Sequence, residues 1–144
     1  MTSRDNLETV AREFFQSIWN DGDESAIDRF IAEDAAGNDP QFGVGREDFR
    51  RQWRQWRTAF PDIHFSVEEV VADPQTSTVA TRWILKGTHS AEFWGAPPTG
   101  QKVSVPGVSI DRIAGGMVVS GFDAWDTAVL MRQIGLLPSA PHES

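Results

Sequence analysis

Apolar residues recur at helical spacing near the start of the chain. Leu7, Val10, Ala11, Phe14, Ile18 and Trp19 share one face of a 3.6-residue repeat, with Phe15 beside them, and predict an amphipathic helix over residues 5–20. Asp5 or Asn6 is placed to cap it, and the break at residues 20–22 stops it. A short second helix fits residues 24–31, with Ala26, Ile27, Phe30 and Ile31 inward. Residues 32–45, AEDAAGNDPQFGVG, are rich in Gly, Asn, Asp and Pro and read as a loop long enough to fold over a cavity mouth. A third helix fits residues 46–60, where Phe49, Trp53, Trp56 and Phe60 form one buried stripe and Pro61 follows as a stop. Its other faces carry Arg46, Arg50, Arg51, Arg54 and Arg57, which read first as a solvated face and only secondarily as an anion site.

From His64 the period changes to two. Phe65, Val67, Glu69 and Val71 alternate against Ser66, Glu68 and Val70, and ADPQTS reads as a turn. Residues 77–86 form a second strand, apolar on both faces and so interior to a sheet. Arg82 is its odd member, reaching either the sheet edge or a polar part of a pocket. The next segment, GTHSAEFWG, continues the strand or bends it at Gly87, and GAPPTG is a loop. Residues 101–126 form a hairpin around Ala114, Gly115 and Gly116, with Pro106 and Gly107 marking a bulge or an edge. Period-two counting on the second arm puts Met117, Val119, Gly121, Asp123 and Trp125 on one face. A last helix fits residues 128–134, with Gly135 as its stop, and residues 139–144 form a tail expected to fray. Helices gathered before an antiparallel sheet indicate an α+β architecture. Three helices closing a curved sheet would give a cone, in a single domain over residues 1–138.

Composition narrows the chemistry. Nine Phe and six Trp stand beside no Tyr, so no phenol serves as acid or oxyanion donor, and the absence of Cys excludes disulfides and thiolate chemistry. The net charge of −8 argues against a nucleic-acid partner. No apolar run approaches a membrane span, and the first residues lack a signal-peptide core, so a cytoplasmic protein is the default expectation.

Several side chains could carry function. Asp123 is either a turn or cap residue or an acid/base held among Phe122 and Trp125, where apolar surroundings disfavour its charge. Asp126 precedes the last helix and is placed to cap it. Asp111 shares parity with Ser109 and is either a second pocket carboxylate or a salt-bridge partner of Arg112 or Arg82. His64, His89 and His142 show no ligand spacing, so no metal is expected, and there is no GxGxxG, Walker or GxSxG motif to imply a nucleotide cofactor or acyl-enzyme. His89 lies in a polar segment at the presumed mouth and is a candidate ligand contact. Phe14, Trp19, Trp53, Trp56 and Trp125 are core residues or cavity walls.

The segment GTHSAEFWGAPPTGQKVSVPGVSIDRI, followed by GFDAWDTAVLMRQIG, closely resembles the SnoaL-like polyketide cyclase family. The likeness extends over the early helix and the FxxxWxxWRxxFPD stretch. It implies the cone-shaped nuclear transport factor 2-like fold, with a curved antiparallel sheet packed on three helices. In the cyclases an Asp near the end of the last long strand is the acid/base, and spacing back from RQIG puts Asp123 there, with Asp126 matching a second acidic position. Ser109 falls where the cyclases carry a pocket His, and serine supplies no imidazole proton transfer.

The activity implied is a cofactor-independent, lyase- or isomerase-type aldol ring closure on a bulky apolar or aromatic substrate in a homodimer or higher homo-oligomer. An epoxide hydrolase-like reading would group Asp123, Arg82 and Asp111 as an Asp–Arg–Asp set. The same fold also admits a hydroxylase-like enzyme and a non-catalytic small-molecule binding module.

Overall fold

A computed structural model describes residues 3–37 and 43–138. Helix α1 (Arg4–Phe14) begins at Ser3, whose hydroxyl accepts the Asn6 N–H at 3.1 Å, so the cap lies just ahead of the expected Asp5 or Asn6. The helix then widens into a π-helical turn, Phe15–Asn20. This replaces the expected uninterrupted helix and lets Phe15, Ile18 and Trp19 all point inward and be buried. Asn20 ends the turn by pairing with the Phe65 backbone: its amide donates to the carbonyl at 3.0 Å, and its oxygen accepts the N–H at 2.7 Å. Those two bonds fix the helical layer against the sheet.

Helix α2 (Ser25–Phe30) leads directly into strand β1 (Ile31–Gly37), then α3 (Gly45–Ala59). The stripe of α3 buries Trp53, Trp56 and Ala59, with Phe49 packed beside them. Its arginines make protein contacts: Arg50 pairs with Glu24, Asp28 and Glu47, Arg54 with Glu24 at 2.7 Å, and Arg57 donates to the Trp19 carbonyl at 2.8 Å. They tie α3 to α2 and to the π turn.

Strands β2 (His64–Asp73), β3 (Thr78–Thr88), β4 (Lys102–Ala114) and β5 (Met117–Trp125) form an antiparallel meander, followed by α4 (Thr127–Gln133). Asp126 caps α4, accepting the Val129 N–H at 3.1 Å. The sheet order is β1-β5-β4-β3-β2, with β1 parallel to β5. The expected loop over residues 32–45 therefore begins with an edge strand; its centre, and the tail expected to fray over 139–144, lie outside the described residues. Gly115 and Gly116, at φ of 59° and 76°, make the two-residue turn between β4 and β5. Pro106 lies one residue beyond the β4–β5 ladder, which begins at Gly107, so β4 accommodates it where only β3 is its neighbour. Register shifts after Val67 and Arg112 help the sheet curve. The second also corrects the β5 face. Val118 is buried with the inward residues, while Gly121, Asp123 and Trp125 keep the counted parity.

Candidate active site

The helical layer and β1 cover the concave side of the sheet and leave a cavity of about 130 Å³. Three transverse rows of residues, read across β3, β4 and β5, carry its floor, which Trp83, Ser109, Asp111, Gly121, Asp123 and Trp125 line. The first is Trp83–Gly107–Trp125, the second Thr81–Ser109–Asp123, and the third Val79–Asp111–Gly121. Aromatic side chains from the helices and β2 close it: Phe14, Phe15, Trp19, Phe49, Trp56 and Phe65. The apolar lining is interrupted chiefly by Ser109, Asp111 and Asp123.

Two glycines make this floor possible. A Cβ on Gly107 would stand 2.3 Å from the Trp83 ring, so only glycine lets that indole cross the strand. The indole then lies along the floor and its Nε1–H donates to the Ser109 hydroxyl oxygen at 2.9 Å, leaving the Ser109 O–H to act as a donor. A Cβ on Gly121 would stand 2.8 Å from a carboxylate oxygen of Asp111, which occupies the space that a side chain would need.

Asp111 is only 7% exposed, while Asp123 is half-buried. Burial first, and then the negative charge of Asp123, push the Asp111 carboxyl well above the usual carboxylate range. Both causes favour the protonated form of Asp111 over its carboxylate. Two carboxyl groups on adjacent strands of one apolar cavity thus have unlike environments.

The structure brings Asp123, Asp111, Ser109, Phe14, Trp19, Trp56 and Trp125 together around the cavity. It leaves three expected site residues outside. Arg82 alternates with the inward Thr81 and Trp83, so its side chain emerges on the opposite face, where it is exposed and pairs with Glu69 at 3.3 Å. The Asp–Arg–Asp set is therefore not assembled. Trp53 lies behind the cavity wall, its Nε1–H donating to the Ile18 carbonyl at 2.9 Å. His89 is fully buried and holds a loop: its ring stacks on Phe60, and its Nδ1 accepts the Thr99 N–H at 3.3 Å. Its backbone also bonds Gln101 and Gly100.

Sequence reasoning missed Trp83, Phe65 and the β1 residues Ala35, Ala36 and Gly37 as cavity walls. The pairing of an inward Trp83 with the glycine of a neighbouring strand was the available signal for the first. Among the described residues, no group of three His, Asp or Glu side chains is placed to hold a metal, and no helix is long and apolar enough to cross a membrane.

A curved sheet closed by helices around a largely apolar cavity is the nuclear transport factor 2-like cone fold. Residues 9–134 match the SnoaL-like polyketide cyclase family, and the chain belongs to that family. Solved structures agree. AclR of Streptomyces galilaeus, a candidate hydroxylase, is 28% identical with a TM-score of 0.86, over 97% of this chain and 87% of that one. IdmH of Streptomyces antibioticus, a candidate polyketide cyclase, is 27% identical with a TM-score of 0.75, over 90% and 98%. TsrD of Streptomyces laurentii is 23% identical with a TM-score of 0.84, over 95% and 100%, and shows the shared fold. No curated protein matches the chain significantly.

Proposed function

We propose that the protein is a cofactor-independent enzyme of the cyclase type, acting by carboxyl acid/base chemistry on an apolar, carbonyl-bearing substrate. The observation that carries this reading is the pair of carboxyl groups lining one apolar cavity, the buried Asp111, whose pKa is pushed up, beside the half-buried Asp123. The Asp123 carboxylate removes a proton from a carbon next to a carbonyl. The electrons of that C–H bond pass to the carbonyl oxygen, where the Ser109 O–H and, in its protonated form, the Asp111 O–H are the donors. The enolate carbon then attacks a second carbonyl of the same molecule, forming the ring C–C bond. The new alkoxide takes back the proton carried by Asp123. The aromatic walls fold the substrate into the reacting pose, which supplies much of the rate in an intramolecular closure.

Likeness to AclR, a candidate hydroxylase, supports a second reading as a hydroxylase-like enzyme of the same fold. An epoxide-opening version lacks its orienting cation, because Arg82 is on the far face of the sheet.

The test is Asp123→Asn, assayed on aromatic polyketide mimics with binding followed by calorimetry. Turnover is expected to fall by about 10²–10⁴-fold with binding and folding retained. Near-normal turnover would remove Asp123 as the proton carrier. Wild-type binding with no turnover of any carbonyl substrate would favour a non-catalytic binding module.

A further inference from the structure

The loop that follows β3 carries an aromatic residue which neither the core nor the cavity accounts for. Trp94 and Gly95 form a two-residue turn closed by reciprocal backbone bonds between Phe93 and Ala96, at 3.0 and 2.9 Å. Such turns favour Asn-Gly, because both residues need positive φ. Here Gly95 has a φ of 82° and Trp94 has 52°, a strained conformation for a bulky side chain. The ring is packed on its neighbours on one side, yet Trp94 remains 37% exposed.

Its neighbours show where the ring leads. Trp94 stacks on the buried Phe93 with centroids 4.7 Å apart. It lies 6.1 Å from Trp125 at an interplanar angle of 32°, and 6.0 Å from Trp56. Trp125 and Trp56 both line the cavity, whereas Trp94 is not among its walls. The aromatic surface therefore continues from the cavity to the exterior. The turn is held from behind by the buried His89, through Thr99 and the Phe60 ring, so the surface is preorganised.

The cavity volume, about 130 Å³, is close to that of an engineered cavity of about 150 Å³ that takes one benzene ring. A fused multi-ring substrate would place its reacting end inside and leave the remaining rings outside. We propose that Trp94, continuing outward from the cavity-wall residue Trp125, is an aromatic platform at the cavity mouth that binds the protruding planar rings of a fused-ring substrate. This rests on the apolar substrate proposed above, which it narrows to fused planar rings, but not on the chemistry of Asp123.

The test compares two probes on the intact protein by calorimetry: phenol, which fits the cavity, and 1,8-dihydroxyanthraquinone, which exceeds it. Trp94→Asn suits the turn and is expected to fold, relief of the backbone strain offsetting part of the lost ring packing. It should leave phenol binding unchanged and weaken anthraquinone binding by about tenfold. Trp94→Phe, which keeps a ring, should recover most of that loss and serves as the second variant if Trp94→Asn misfolds. Unchanged anthraquinone binding in either ring-removing variant, Trp94→Asn or Trp94→Leu, would overturn the platform. So would equal losses for both probes, which would mark Trp94 as a support of the cavity. If the wild type binds phenol but not the anthraquinone, the platform fails while the cavity reading stands. Retained turnover in Asp123→Asn would defeat only the catalytic reading.

Discussion

Asp111 is an ionisable side chain buried in an apolar cavity. In the folded protein its pKa is raised, so over a window above the unfolded value of about 3.9 the native state holds a proton that the unfolded chain has lost. Stability contributed by this group must therefore fall as pH rises through that window, by up to about 1.4 kcal/mol per pH unit, with no penalty below it. Asp111→Asn removes the ionisable group and keeps a donor of similar shape. The variant is expected to be more stable than the wild type at pH 7 and nearly equal at pH 4, as measured by thermal unfolding at both. A wild-type advantage that grows toward pH 7 would show that Asp111 is a paired carboxylate instead.

At the scale of elements, the crossing of Trp83 over Gly107 holds the cavity floor. Gly107→Ala would force the indole to move and break its bond to Ser109, an overpacking expected to cost about 1–3 kcal/mol in denaturant unfolding. A loss below about 0.5 kcal/mol would mean that the floor adjusts freely. Elements with a single strong period were legible in the sequence. The stripe of α3 and the turn of the β4–β5 hairpin fall where counting put them; parity grouped Ser109 with Asp111 and Asp123 with Trp125, and the register between β4 and β5 brings both groups to one face. Elements whose pattern depends on distant partners were not. β1 has neither alternation nor β-branched residues beyond Ile31, and it exists because β5 offers an edge. The π turn depends on the space that Phe15 and Trp19 must share with Phe65. Arg82 was ambiguous because both faces of its strand are apolar, a property of the outer surface as much as of the core.

That outer surface matters for the whole molecule. Val71, Ala80, Ile110 and Phe122 stand in one row across four strands of the open face. Val71, Ile110 and Phe122 are 58%, 42% and 50% exposed. Contiguous apolar residues on a sheet face are an association surface, and we propose a homodimer through it. Phe122→Glu should convert the dimer to monomer in light scattering without lowering thermal stability of the fold. A wild type that stays monomeric at working concentration would refute this.

The parallel strand β1 closes the cavity with contacts between opposite halves of the chain: Ile31 meets Val118, and Ala36 and Gly37 meet Ser120 and Gly121. Everything else in the sheet is a local meander. Loop-closure entropy makes the distant pairing the slower one, so the hairpins should assemble first and the binding chamber last. The order reverses on opening. In native-state hydrogen exchange the β1 amides should lose protection before those of β3 and β4, so an occupant could be admitted by the strand that completed its enclosure.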